Sequence, residues 1–182
     1  MTTILKIARL GESILQQKAS PIELDQLDDY QSLITDMITT LESLEGRVGI
    51  AAPQVFVSKR LFVYRIPKTI HSRYQTSGFR EIPLTVVINP EYTLLNDQKD
   101  LGWEACLSVP GLMGQVSRHR AIRLSYWDRN GTKQEDILEG FPARVVQHEC
   151  DHLDGLIYPM RMDDISSLGF EEEIVNRLKS SI

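Results

Sequence analysis

Apolar residues recur at Leu24, Leu27, Leu33, Ile34, Met37, Ile38, Leu41 and Leu44, a three-to-four spacing that draws one stripe along a helix over about residues 24–44. Gly46 supplies the stop, and the stripe marks an amphipathic helix that packs on a core. From Val48 onward the pattern changes to short apolar runs broken by Gly, Pro and Asn. Residues 61–64, 85–90, 121–126 and 132–138 are expected strands, the last two forming a hairpin around Asp128-Arg129-Asn130-Gly131. Residues 67–83, with His71, Ser72, Ser77 and Gly78, read as loop, and His71 and His119 as solvated imidazoles without a chemical role. Pro142 and Gly155 bracket a helix of about a dozen residues. A short terminal helix over residues 168–178 opens on the acidic run Glu171-Glu172-Glu173, which suits a helix N-terminus. Helix, several strands, helix and short helix make an α+β order with mostly antiparallel strands.

Composition narrows this only modestly. With 182 residues, 42% hydrophobic and 25% charged, the chain fits a single domain spanning 1–182 with core enough to fold unaided. A net charge of −5 argues against nucleic-acid or membrane-surface binding, and no apolar run approaches the ~20 residues of a membrane span. The opening Met1-Thr2-Thr3-Ile4-Leu5-Lys6-Ile7 lacks the features of a secretory or transit peptide, so a cytoplasmic location is expected. Two cysteines in a reducing compartment favour metal binding or catalysis over a disulfide.

Candidate chemistry concentrates in Gln147-His148-Glu149-Cys150-Asp151-His152, an HExxH pattern. On a helix His148 and His152 share one face, one turn apart, and can hold one cation with Glu149 beside them as general base. At about 100° per residue Cys150 falls on the opposite side, in line with Ala143, Val146 and Leu153, and reads as a small buried hydrophobe. A third ligand must come from elsewhere. Cys106 offers a soft thiolate, and two imidazoles with one thiolate leave a coordination position open, as catalytic metal sites do. Gly155 extends the match toward the metzincin pattern, but Tyr158 stands where that pattern needs a third histidine. A glutamate ligand from the Glu171 to Glu173 run is the weaker alternative.

Three segments resemble the signature motifs of peptide deformylases: Val48-Gly49-Ile50-Ala51-Ala52-Pro53-Gln54, Glu104-Ala105-Cys106-Leu107-Ser108, and Gln147-His148-Glu149-Cys150-Asp151-His152. Leu5-Lys6-Ile7-Ala8-Arg9-Leu10-Gly11 is similar to the family's N-terminal segment, so the resemblance runs to about Met162. It implies antiparallel sheets wrapped around a central helix carrying HExxH. It also implies metal ligation by Cys106, His148 and His152, acid/base work by Glu149, and oxyanion stabilisation by Gln54 and the Leu107 backbone N–H. Val48, Gly49, Phe141 and Arg144 would meet substrate. Glu104, Arg118 and Asp151 would support the ligands, with Arg118 pairing Glu104 or Asp151. The implied activity is removal of the formyl group from N-terminal formyl-methionine of nascent polypeptides, near the ribosome, by a monomer or homodimer. The implied metal is Fe(2+) in the cell, with Zn(2+), Ni(2+) or Co(2+) as substitutes.

Four positions depart from the family's pattern: Arg47 and Ala105 replace usual glycines, Met113 stands where many bacterial members have a basic residue near the site mouth, and Arg144 replaces an apolar pocket wall. They suggest a divergent or mitochondrial-like subgroup with altered substrate preference. The competing readings are another HExxH amidase or peptidase, and a metal- or peptide-end-binding module that has lost its chemistry.

Overall fold

The computed structural model describes residues 2–68 and 80–180. Among the described residues, eight strands and three α-helices follow one another. α1 is Gln31–Glu42; the strands are β1 (Gly49–Ala51), β2 (Leu61–Ile66), β3 (Ile82–Leu94), β4 (Lys99–Cys106), β5 (Val109–His119), β6 (Ala121–Trp127) and β7 (Lys133–Glu139). Then come α2 (Phe141–Leu153), β8 (Gly169–Phe170) and α3 (Glu171–Lys179). The α+β class with antiparallel strands is the one expected. One sheet has the order β1-β2-β3-β6-β7, the other β4-β5-β8, and every pairing is antiparallel.

Alternation along β2 explains how the larger sheet is covered. Phe62, Tyr64 and Ile66 join the apolar cluster that receives Ala143, Val146, Cys150 and Leu153 of α2. Leu61 and Val63 join the cluster that receives Ile34, Met37 and Leu41 of α1. With a helix on each side, β2 reads as a nearly continuous apolar run. The β6–β7 hairpin forms around the Asp128 turn, with Tyr126 opposite Gln134 and Ala121 opposite Glu139.

The expected helix over residues 24–44 divides. Leu24–Tyr30 is a 3-10 segment and the α-helix starts at Gln31. The six-residue step from Leu27 to Leu33, filled by Asp28 and Asp29, breaks the 3.6 register where the change occurs. The terminal helix begins at Glu171 because residues 169 and 170 are taken by β8, which pairs with Met113 and Leu112. Of the loop-like stretch 67–83, His71, Ser72, Ser77 and Gly78 lie outside the described residues, and Ile82 already belongs to β3. β4 and β5 are strands that the apolar pattern did not announce, joined through Leu107 and Ser108 with Cys106 opposite Val109.

α2 lies between the two sheets, packing on β1, β2, β5 and β7. Pro142 sits in its first turn, and Gly155 ends it at φ +74°, where an added Cβ would stand 2.8 Å from the Gln16 backbone. Both the left-handed conformation and the close approach demand glycine there. Among the described residues no helix is long and apolar enough to cross a membrane.

Candidate metal centre

The HExxH segment occupies the second half of α2, with His148 and His152 one turn apart on the side away from the apolar stripe. Cys106 arrives from the last residue of β4. Among the described residues, the ligand atoms of Cys106, His148 and His152 lie within 4.8 Å of one another, and Cys106 Sγ is 3.2 Å from His152 Nε2. That spacing lets one ion with bonds of about 2.0–2.3 Å reach all three. A thiolate and two imidazoles form a borderline-soft set suited to zinc or ferrous iron.

Each donor is held. His148 Nδ1 is 2.8 Å from Glu104 Oε2, which leaves Nε2 as its ligand atom. Glu104 is buried and also accepts from Arg118 Nε and Nη2 at 2.9 Å each and from Arg144 Nη1 at 2.9 Å. Burial alone would push the Glu104 carboxyl up, but Arg118 and His148 hold it well below the usual carboxylate range. Arg118 donates from Nη1 to Asp151, which also accepts from Arg161 at 2.7 Å. The structure thus brings Glu104, Arg118 and Asp151 into one buried network behind the histidines.

Cys106 Sγ accepts from Gln54 Nε2 and from the Ser108 backbone N–H, both at 3.4 Å. Burial raises its thiol, while the His152 and His148 imidazoles outweigh that and hold it well below the ordinary thiol range. Gln54 is aimed by its own turn: Pro53 and Gln54 sit in the 3-10 segment Ala52–Val55, and Gln54 Oε1 accepts from the Ala51 N–H at 2.9 Å. That bond sets which end of the amide faces the centre, so Nε2 points at Cys106 and at Ser108 Oγ, 3.1 Å away.

Glu149 is buried, and its Oε2 has no hydrogen-bond partner among the described residues. Burial pushes its carboxyl up to about 7, opposed by the charges of His148 and His152. Gly49 of β1 lies directly against it: a Cβ built there would collide with the Glu149 carboxylate and force it to swing aside. Val48, Gly49, Leu107, Phe141 and Arg144 line one cavity of about 50 Å³ together with Gln54, Cys106, His148 and Glu149. Arg47 and Ala105, two of the departures, line it as well.

Other positions fall differently from their sequence reading. His119 is not a solvated imidazole: it is half-buried at the end of β5, and its Nδ1 is buried without a partner among the described residues. Its backbone N–H and C=O pair with Gln147 Oε1 and Nε2 at 3.1 and 2.8 Å. Met113 is buried opposite Ala105 in the β4–β5 ladder and lines a neighbouring cavity of about 300 Å³ instead of the mouth of the centre. Cys150 lies in the apolar core, as its helix angle implied. Sequence reasoning missed two participants. Gln147, inside the motif itself, latches α2 to β5. Tyr158, considered only as an absent ligand, stacks on His148 with centroids 6.3 Å apart and an interplanar angle of 20°.

Comparison with known proteins agrees across nearly the whole chain. The family model described as polypeptide deformylase matches residues 4–167. The chain is 41% identical to peptide deformylase 2 of Ralstonia nicotianae, over 93% of each. It is 42% identical to peptide deformylase 1 of Bordetella pertussis, over 91% of this chain and 92% of that one. Among solved structures it is similar to the Met-Ala-Ser-bound class I type b peptide deformylase of Acinetobacter baumannii, with a TM-score of 0.79 and 36% identity, over 89% of this chain and all of that one. The actinonin complex of the Ehrlichia chaffeensis peptide deformylase matches with a TM-score of 0.79 and 28% identity, over 100% of this chain and 98% of that one.

Proposed function

The chain belongs to the polypeptide deformylase family, metalloenzymes that remove the N-formyl group from nascent polypeptides, and on that premise we propose which of its residues carry the reaction. Cys106, His148 and His152 hold one divalent ion, Fe(2+) in the cell, with Zn(2+), Ni(2+) or Co(2+) able to replace it. The observation that carries this is the convergence of one thiol and two imidazoles within 4.8 Å beside a buried carboxylate and an oriented amide. When bound, the ion supplies Lewis acidity, polarising the formyl carbonyl and lowering the pKa of water from near 16 toward ~7.

The remaining steps belong to the side chains. Glu149, shifted to about 7, takes a proton from the attacking water and returns it to the departing amine, so formate and a free N-terminus result as the C–N bond breaks. The Gln54 Nε2–H and the Leu107 N–H donate to the oxygen on which charge develops. Such donors are fixed before reaction, and losing one costs about 3–4 kcal/mol. Glu104 keeps His148 in one tautomer through Nδ1. Val48 and Gly49 present backbone to the peptide, and Phe141 walls the space for its first side chain. The Acinetobacter relative with Met-Ala-Ser bound supports a peptide beginning with methionine as the occupant. The chain 1–182 then acts as one catalytic domain in the cytoplasm, on chains emerging from the ribosome.

Anaerobically purified protein supplied with formyl-Met-Ala-Ser tests this. Wild type releases formate and Glu149→Ala, with its metal retained, does not. Formate from neither protein would refute the deformylase assignment, and cleavage of internal peptide bonds would make the chain a peptidase instead.

A further inference from the structure

Arg144 begins as an apparent pocket wall, one helical turn before His148 on α2. Its guanidinium is directed elsewhere. Nη1 donates to Glu104 Oε1 at 2.9 Å, to the Val116 carbonyl at 2.7 Å and more weakly to the Gly102 carbonyl at 3.4 Å, while Nη2 donates to the Asp100 carbonyl at 2.5 Å. Asp100, Gly102 and Glu104 are on β4 and Val116 is on β5, so one side chain from the histidine helix reaches across both strands of the hairpin whose first strand ends in Cys106.

Gly102 is shaped to receive it. A Cβ there would stand 2.8 Å from Arg144 Cζ, 2.9 Å from Nη2 and 3.0 Å from Nε. The far end of an arginine can ordinarily swing aside from such a clash. Here it is held by four acceptors, one carboxylate and three backbone carbonyls, and only 11% of its side chain is exposed, so moving it strands a buried charge and several backbone carbonyls. Gly102 is Val116's neighbour across the β4–β5 ladder, which places the guanidinium over the middle of that ladder.

Arg118 already gives Glu104 a bidentate partner, so a second arginine is not needed to neutralise that carboxylate. What Arg144 adds is the tie to the backbone of β4. Taking the metal ligands assigned above as given, we propose that Arg144 is a positioning residue: seated on Gly102, it sets the spacing between α2 and β4 and thereby the fit of His148 and His152 to Cys106. It acts through the strand and the helix and touches neither ion nor peptide bond. Gly102 is its structural complement.

Cobalt(II) titration of the metal-free protein tests this without reference to turnover, because thiolate-to-cobalt absorption reports the Cys–His–His arrangement directly. In Arg144→Met the absorption shifts and metal affinity falls by about 10–100-fold, the range seen when ligand-supporting groups are lost. Gly102→Ala in the wild-type background produces a similar loss by displacing the guanidinium, and Arg144→Lys recovers part of it. Adding Gly102→Ala to Arg144→Met costs little more, since the clash has gone. An unchanged spectrum and affinity in Arg144→Met, with only its melting temperature or its KM for peptide altered, overturns the positioning role. So does an additive double variant. If Arg144→Met does not fold, Gly102→Ala alone decides by the same criterion. Absence of thiolate-to-cobalt absorption in wild type would instead overturn the ligand assignment on which the proposal rests.

Discussion

Two cysteines of this chain are almost equally hidden, Cys106 at 4% exposure and Cys150 at 3%, on opposite sides of one helix. Cys150 belongs to α2 and packs with Ala143, Val146 and Leu153 against the large sheet, where burial pushes its thiol up. Cys106 belongs to β4 and meets His152, the Gln54 amide and the Ser108 N–H. Its thiol is driven the other way. Burial by itself therefore does not make a reactive sulfur; the groups it is buried among do. The same contrast runs through the two sheets. The five-stranded sheet is covered by apolar residues on both faces, whereas the smaller sheet turns Glu104 and Arg118 inward.

Substitution can break this comparison at either end. The largest effect is expected at Cys106: Cys106→Ser should lose the metal, from one ion per chain toward none by elemental analysis, and formate release with it. Gln54→Leu should keep the metal and fold but lower kcat by about 10²–10³, the cost of one missing oxyanion donor, measured as formate release at saturating peptide. Arg118→Ala leaves Glu104 and Asp151 short of a buried cation. It should cost about 3–5 kcal/mol in denaturant unfolding of the metal-free protein, and unchanged stability and metal content would show that Arg144 and Arg161 suffice without it. Cys150→Ala is the smallest change. It trims a core side chain, costs about 1 kcal/mol and leaves one metal per chain and full formate release. Loss of metal there would erase the distinction between the two thiols.

Legibility in the sequence followed the same division. α2 could be read because Pro142, Gly155 and the 3.6-residue stripe of Ala143, Val146, Cys150 and Leu153 all agree. β2, β3 and β6 announced themselves as β-branched and aromatic runs, and β7 through the Asp128-Arg129-Asn130-Gly131 turn that pairs it with β6. β4 and β5 did not, because their binary pattern is inverted: Gly102, Glu104 and Cys106 alternate with a Leu101 that is 61% exposed, and Gly114 and Arg118 point inward on β5. Strands built to carry ligands and their supports look polar to a rule that equates inside with apolar. The three candidate ligands were picked out from motif residues, and the structure brings their ligand atoms within 4.8 Å of one another. The tie from Arg144 to Gly102, the stacking of Tyr158 on His148 and the Gln147 latch on His119 join residues far apart in sequence, and no spacing rule connects them.

The most direct test of the contrast between the two sulfurs is X-ray absorption at the zinc edge of the zinc-loaded protein. The account predicts one sulfur scatterer at about 2.3 Å and two imidazole nitrogens at about 2.0–2.1 Å, with the sulfur shell retained in Cys150→Ser. A spectrum without sulfur in wild type, or one whose sulfur disappears in Cys150→Ser, would contradict it.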